Sequence, residues 1–234
     1  MKNIIFITKK ELSIIFLSPL AYITLSAFLL INGWFFSAPL FIVNQASLQS
    51  LFNTIPLIFI VFIPAITMST ISKEKNSETI ELLLTMPLTK YQIILGKYFS
   101  SLIFIFVGIF FTLVHFFTIY FLGTNIDFGQ IIFSYFSLIL LAGVYSAIGI
   151  YSSTLSKNQI VAFLISFFII FFFYIITRIT LFFPPFIGEF FMFLGIELHL
   201  SNLLRGILDT RDLIYFLSLI VAFLVLATNK LEKI

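Results

Sequence analysis

The feature that most constrains the fold is a series of six apolar runs, each close to the length that crosses a lipid bilayer. A helix needs about 20 mainly apolar residues to cross a hydrocarbon core roughly 30 Å thick. Of the 234 residues, 61% are hydrophobic and only 10% are charged, which is typical of polytopic membrane proteins. The sequence therefore predicts one all-α integral membrane domain over 1–234, without a nucleotide-binding domain. The predicted spans are 14–36, 51–71, 98–122, 131–154, 159–181 and 213–228.

The composition offers little for catalytic or metal chemistry. Cysteine is absent, so disulfides and thiolate ligands are excluded. The two histidines, His115 and His199, belong to different elements, which makes a zinc site improbable. An intramembrane enzyme would need convergent acid, base or metal ligands within the spans, and the spans contain almost no ionisable residues. We therefore expect the chain not to be an enzyme.

The lysines predict the orientation of the chain. Loops on the cytoplasmic side of a membrane protein carry an excess of Lys and Arg. In a six-span topology all ten lysines and both termini fall on one side, whereas the other side carries the three arginines and five acidic residues. The lysine side is therefore predicted to be cytoplasmic. The first apolar run, of about 23 residues, is too long for the apolar region of a signal peptide, so we expect it to be a retained span.

The segment KNIIFITKKELSIIF, ahead of Ser18 and Pro19, alternates charged and apolar residues. A helix is expected to kink or restart at such a proline. One interpretation is an elbow helix that lies in the membrane interface. The alternative is that these residues lengthen the first span. The predicted fold includes the interfacial elbow helix.

A polar segment, residues 72–97, separates the second and third spans. Ser77 is a candidate N-cap for a short helix from Glu78 to Met86, which Pro87 ends. Thr89, Lys90, Tyr91 and Gln92 form a capping-box sequence, so a new helix is expected to begin at Lys90. If that helix ran without interruption to Leu122 it would be about 50 Å long and would protrude from the membrane as a stiff lever.

The sequence EKNSETIELLLTMPLTKYQIILGKY resembles the segment that joins spans two and three of ABC-2 type permeases, E-[KR]-x-x-G-T-x-E-x-L-L-x-x-P followed by G-K. Glu78 occupies the position of the family's usual glycine. The segments KELSIIFLSPLAYITLSAFLLINGWFF and LSNLLRGILDTRDLIYFLS are similar to the ends of permeases in the gliding-motility-associated group. The residues expected to take part in ATPase coupling are Glu74, Lys75, Glu78, Thr79, Glu81, Leu82, Leu83, Pro87, Lys90, Gly96 and Lys97.

The resemblance implies a half-transporter in a bacterial cytoplasmic (inner) membrane. Its short cytoplasmic helix would be the coupling helix, which docks on a cytoplasmic ABC ATPase subunit. That ATPase would use ATP and Mg, while this chain binds no cofactor. The implied partners also include a second permease chain, identical or different, and membrane lipids. An extracytoplasmic auxiliary subunit is a further candidate partner. Nucleic acid is not expected to bind. The predicted function is the permease subunit of an ATP-driven exporter. The alternative is a membrane anchor or scaffold of a motility or assembly complex that moves no solute.

Between spans five and six, Pro184 and Pro185 precede an apolar run of 11 residues, 186–196, which is too short to cross the membrane. We expect interfacial or re-entrant helices here, with the nearby polar residues at the level of the lipid headgroups. The following charge cluster is interpreted as a docking surface, as a gate latch held by Arg–Asp pairs, or as a solvated loop with weak surface pairs. The candidate gate or docking residues are Glu189, Glu197, His199, Arg205, Asp209, Arg211 and Asp212.

Within the spans, His115 shares a helical face with Ser101 and Thr112. This face is a candidate lining of a translocation path, or it serves helix packing with the imidazole hydrogen-bonded to a neighbour. The fourth span carries four small residues that permit close helix approach, either within the chain or across a dimer. They are Ala142, Gly143, Ser146 and Ala147.

Overall fold

The computed structural model describes residues 2–42, 47–85, 87–122, 127–180 and 184–232, and within these residues the chain is helical and has no strand. Met86 and residue 181, predicted to end the coupling helix and the fifth span, lie outside the described residues. The helices are α1 (Lys2–Leu17), α2 (Pro19–Ile42), α3 (Gln49–Thr67), α4 (Ser69–Asn76), α5 (Thr79–Thr85), α6 (Lys90–Phe111), α7 (Leu113–Leu122), α8 (Phe128–Leu155), α9 (Gln159–Ile179), α10 (Pro185–Leu194), α11 (Ile196–Leu204) and α12 (Thr210–Glu232).

In the part of the chain that the structure describes, six helical stretches are long and apolar enough to cross a membrane, which confirms the predicted all-α, six-span fold class. The first span begins at Pro19 rather than residue 14, because the chain bends at Ser18 and residues 14–17 belong to α1. Two short helices, α10 and α11, stand between spans five and six, where one apolar run was predicted. The six stretches are Pro19–Ile42, Gln49–Asn76, Lys90–Phe121, Phe128–Leu155, Gln159–Ile179 and Thr210–Leu231.

Helix α8 lies at the centre of the bundle and packs against α3, α4, α6, α9, α11 and α12. Its stripe of small residues, which includes Gly143, is buried within the chain. A Cβ atom on Gly143 would lie only 3.0 Å from the side chains of Ile220 and Tyr98. The small residues therefore serve close packing inside the chain rather than across a dimer.

The second span is divided at Met68 into α3 and α4, and a side chain of α8 occupies the break in the hydrogen-bond ladder. The Ser153 hydroxyl donates to the Met68 carbonyl at 3.1 Å and accepts from the backbone N–H groups of Ile71 and Ser72, both at 2.9 Å. Insertion of a side chain into the helical hydrogen-bond ladder is a known cause of kinks. At Gly149, one turn away, a Cβ atom would lie 2.0 Å from the Thr67 hydroxyl. Helix α8 thus contacts this break at close range.

The third span is also divided, so the prediction of one uninterrupted helix from Lys90 to Leu122 is wrong. Thr112 separates α6 from α7. Its N–H donates to the Ile109 carbonyl at 3.0 Å, the tighter bonding pattern of a 3₁₀ turn. Its carbonyl accepts from the Tyr135 hydroxyl of α8 at 3.3 Å. The stiff element is therefore α6, whose 22 residues are about 33 Å long.

Helix α1 is a separate helix that packs along α6 and against α2. The closest approach is at Gly96, where a Cβ atom would lie 2.5 Å from the Ile7 side chain. Thr8 also donates a hydrogen bond to the Gly96 carbonyl at 3.2 Å. The N-terminal helix is therefore docked on the start of the third span. Its location in a membrane interface stays a prediction.

Candidate coupling site

The short helix α5 lies at the surface between the second and third spans. Among the described elements it packs mainly on α4. Ile80 is buried and anchors it, whereas Glu81 is exposed and Leu82 is 66% exposed. An acidic side chain and a large apolar side chain therefore project next to each other from a short helix. This combination suits the docking of a protein partner, since exposed apolar groups gain from burial.

The turn into α5 differs from the prediction at two residues. Ser77 is the C-cap of α4, with its N–H bonded to the Lys73 carbonyl at 3.0 Å, and is not the N-cap of α5. Glu78 is not the first helical residue, because its φ of +59° places it in the left-handed region. Helices commonly end with such a residue, usually glycine. Glu78 stands where the ABC-2 type permeases that this segment resembles usually have glycine. It thus retains the backbone conformation that glycine favours.

Lys97 forms the centre of a buried ionic cluster that was not predicted. Its ammonium group is 2.8 Å from Glu74 Oε1 and 3.1 Å from Glu11 Oε1, and it donates to the Thr70 carbonyl at 2.7 Å. The Lys97 side chain is only 1% exposed. We call Glu11, Glu74 and Lys97 the ionic node; it joins α1, α4 and α6.

A second lysine of the motif also points inward. Lys75 is buried, and its ammonium group donates to the carbonyl of Thr154 in the last turn of α8. A cation at this position is favourable because the carbonyl end of a helix carries partial negative charge. Lys75 therefore attaches α4 to α8 beside the Ser153 contact.

The start of the third span follows the predicted capping box. The Thr89 hydroxyl accepts from the Gln92 N–H, and the Gln92 side chain accepts from the Thr89 N–H, both at 3.3 Å. Helix α6 accordingly begins at Lys90, as predicted.

The predicted coupling residues thus divide into an outer and an inner set. The exposed residues form the outer set, which is available to a partner. The buried residues form the inner set, which contacts neighbouring helices. The exposed residues are Glu78, Thr79, Glu81, Leu82 and Pro87, the half-buried ones are Glu74, Leu83 and Lys90, and the buried ones are Lys75, Gly96 and Lys97.

At the other end of the bundle, two predicted gate residues bind other residues of the chain, and their position at the headgroup level stays a prediction. Glu197 makes a bidentate ion pair with Arg178 of α9, at 2.6 to 3.2 Å. His199 is buried, with Nδ1 2.5 Å from Asp212 Oδ1 and Nε2 2.9 Å from the Phe193 carbonyl. A carbonyl oxygen only accepts hydrogen bonds, so Nε2 carries a hydrogen.

The predicted Arg–Asp latch is replaced by different contacts. Asp212 is buried and binds His199 and the amide of Asn202, the latter at 3.1 Å. Asp209 accepts from the backbone N–H of Arg211 at 2.8 Å, at the start of α12. The side chains of Arg205, Arg211 and Glu189 are exposed. These three, with half-buried Asp209 and Glu197, are the accessible members of the predicted set, and an external docking surface stays a prediction.

The candidate path-lining residues occupy packed positions. The hydroxyls of Ser101 and Thr112 are buried and donate to carbonyls of their own helix, Lys97 at 3.0 Å and Ile109 at 2.6 Å. His115 is half-buried and stacks on Phe36 of α2, with ring centroids 4.4 Å apart. These contacts are those of helix packing, and a role in translocation stays a prediction.

The described residues contain no group of three or more His, Cys, Asp or Glu side chains that could hold a metal ion. No curated protein matches the chain. The sequence of residues 14–233 matches the model of the ABC-2 family transporter protein. Because this match includes all six candidate spans, the chain belongs to the ABC-2 transporter family and is a multi-pass membrane permease of an ABC system.

Proposed function

We propose that the chain couples ATP hydrolysis by a separate cytoplasmic ABC ATPase to substrate export. The observation that carries this proposal is the exposed helix α5, placed directly between two spans and next to the ionic node. A partner bound to Glu81 and Leu82 would act on α5 and α4 first. ATP and Mg would be bound by that partner.

Movement of α5 would reach the membrane through buried polar contacts. Glu74 of α4 and Lys97 of α6 are 2.8 Å apart, and Lys97 also binds Glu11 of α1. In a buried site such charge-assisted contacts are strong and directional. A displacement of α4 would therefore move α1 and α6 with it, and α6 would carry the displacement into the bundle.

We further propose that the α5 end of the bundle faces the cytoplasm of a bacterial inner membrane, with both termini on that side. Lys157 and Lys230 are each close enough in space to repel Lys75, which supports a cationic end. A second permease chain would complete the transporter. Membership of the gliding-motility-associated group stays a prediction, as does an extracytoplasmic subunit at Arg205 and Arg211.

Docking at α5 can be tested by placing a charge on its exposed leucine. Leu82→Asp should weaken binding of the ATPase about tenfold or more, because it replaces a buried apolar contact with a desolvated carboxylate. The measurement is the amount of ATPase that co-purifies with the permease, followed by ATP hydrolysis in proteoliposomes. Leu208→Asp is the matched control, since Leu208 is 46% exposed and lies at the other end of the bundle.

Unchanged co-purification and ATP hydrolysis in the Leu82→Asp protein would contradict docking at α5. A tightly bound ATPase that moves no solute in vesicles, with both chains wild type, would instead support the scaffold role. The two measurements therefore separate the docking site from the function that it serves.

A further inference from the structure

The buried imidazole of His199 connects three helices at the end of the bundle opposite α5. Its Nδ1 lies 2.5 Å from Asp212 Oδ1 of α12, and its Nε2 lies 2.9 Å from the Phe193 carbonyl of α10. The imidazole also stacks on the ring of Tyr215 in α12, with centroids 3.9 Å apart. His199 and Asp212 are only 2% and 3% exposed. One side chain of α11 therefore contacts both α10 and α12.

The two polar contacts of His199 require two hydrogens. Nε2 carries one, because it donates to a carbonyl oxygen. A second must lie between Nδ1 and Asp212 Oδ1, because a nitrogen lone pair and a carboxylate oxygen would repel each other at 2.5 Å. A neutral imidazole has a hydrogen on one nitrogen only. Beside an ionised Asp212, a neutral His199 can therefore keep its contact with Phe193 or its contact with Asp212, but not both.

The neighbouring side chains do not replace the shared hydrogen. Asp212 Oδ2 accepts from the Asn202 amide at 3.1 Å, which adds no charge. Arg178 of α9 is engaged in its bidentate pair with Glu197. Within the described ranges, His199 is the only basic group paired with Asp212. The charged and titratable side chains toward this end of the helices that pack against α11 are Tyr135 and Tyr145 of α8, Tyr174 and Arg178 of α9, Glu189 of α10, and Arg211, Asp212 and Tyr215 of α12.

We propose that His199 and Asp212 form a proton-binding site that controls how α10, α11 and α12 pack together. With the proton bound, the pair has no net charge and all its contacts are made. Loss of the proton leaves a buried negative charge and removes one contact of the imidazole, so α11 loosens from α10 or from α12. The packing is therefore complete at low pH and weakens as the pH rises. The proposal concerns proton binding and does not depend on ATP coupling.

The test measures the distance between α10 and α12 in the full-length chain in lipid nanodiscs. The sequence has no cysteine, so spin labels can be attached through Phe190→Cys and Leu217→Cys, at positions that are 66% and 53% exposed. An excess of unlabelled chain restricts the measurement to distances within one molecule. Pulsed electron paramagnetic resonance is recorded at about pH 5 and about pH 9, a range that includes the usual change of charge of histidine. The distribution should be narrow at the lower pH, and the share of molecules outside this narrow range should rise several-fold at the higher pH.

Two variants should remove the pH response in opposite ways. Asp212→Asn places an amide N–H against Nδ1 of the neutral imidazole and keeps an oxygen for Asn202, so the distribution should stay narrow at both pH values. His199→Gln removes the ring that contacts both helices, so the distribution should be broad at both. Asp209→Asn is the matched control, because Asp209 lies in the same segment and accepts from the backbone N–H of Arg211. It should keep the wild-type response.

The same distribution at both pH values in the wild-type chain overturns the proposal. So does a response of wild-type size in Asp212→Asn or in His199→Gln. If Asp212→Asn does not fold, the wild-type chain and His199→Gln decide the outcome, since the first must respond to pH and the second must not.

Discussion

At the residue scale, Glu78 holds a left-handed backbone conformation, with φ at +59°, in the turn between α4 and α5. This conformation costs a residue with a Cβ atom roughly 1–2 kcal/mol, and glycine avoids the cost. The carboxylate of Glu78 is exposed. The neighbouring contacts therefore impose this conformation on Glu78, because Ser77 is bonded to α4 and Ile80 is buried.

Glu78→Gly should stabilise the protein by up to about 1 kcal/mol, because relief of the left-handed cost exceeds the added entropy of the unfolded chain. Glu78→Val should destabilise it, since β-branched residues are the least tolerant of positive φ. Thermal unfolding of the purified protein measures both. The control is Glu81→Gly, within α5, which should lose about 1 kcal/mol of helix stability. A lower unfolding temperature for Glu78→Gly than for wild type would contradict this account of the turn.

At the element scale, the break between α3 and α4 contains one hydroxyl of α8. Ser153 accepts from two backbone N–H groups and donates to one carbonyl, which uses its full hydrogen-bonding capacity. Removal of the hydroxyl leaves these buried groups unsatisfied, at a cost of about 1–3 kcal/mol, or lets α3 and α4 join into one regular helix. The second result would change the position of α5, which follows α4.

Ser153→Ala should therefore lower the unfolding temperature and shift the distance between spin labels at Ser47 and Asn76, which lie on either side of the break. Ser152→Ala is a matched control, because the buried Ser152 hydroxyl donates only to the Ile148 carbonyl of its own helix, at 2.9 Å. Equal label distances and equal unfolding temperatures for the two variants would mean that Ser153 does not maintain the break.

Sequence patterns predicted the elements whose signals are local. The six apolar runs, the bend at Ser18 and the start of α6 at Lys90 each depend on residues within a few positions of one another. The Glu11–Lys97 pair of the ionic node and the Ser153 contact join residues more than 80 positions apart, and the Glu74–Lys97 pair spans 23 positions, so no local pattern contains them. The exposed half of the coupling segment was predicted from the family resemblance, whereas the burial of Lys75 and Lys97 was not.

One sequence signal for the node was present. Glu11 and Lys97 are opposite charges at the edges of two long apolar runs, and a charge in such a position usually has a partner. With a helix break at Pro19, α1 can fold back along the third span and bring the two charges together. The breaks at Met68 and Thr112 had no comparable signal, because both are held by side chains of α8.

At the scale of the whole molecule, the ionic node is the place where α1, α4 and α6 are joined by charge. A buried ion pair contributes little net stability when both partners are replaced together, but loss of one partner leaves an unpaired buried charge that costs about 3–5 kcal/mol. Replacing Lys97 alone and replacing all three residues together therefore separate a role of the node in stability from a role in transmitting movement from α5.

The combined variant Glu11→Gln, Glu74→Gln and Lys97→Met removes the charges while keeping side chains of similar size. It should unfold near the wild-type temperature and co-purify with the ATPase, because α5 is unchanged, yet permease-dependent stimulation of ATP hydrolysis in proteoliposomes should fall several-fold. Lys97→Met alone should be markedly less stable. Lys157→Met controls for the loss of a lysine at this end of the bundle. Wild-type stimulation in the combined variant would show that movement of α5 reaches the spans by another route, such as the contact of Lys75 with the end of α8.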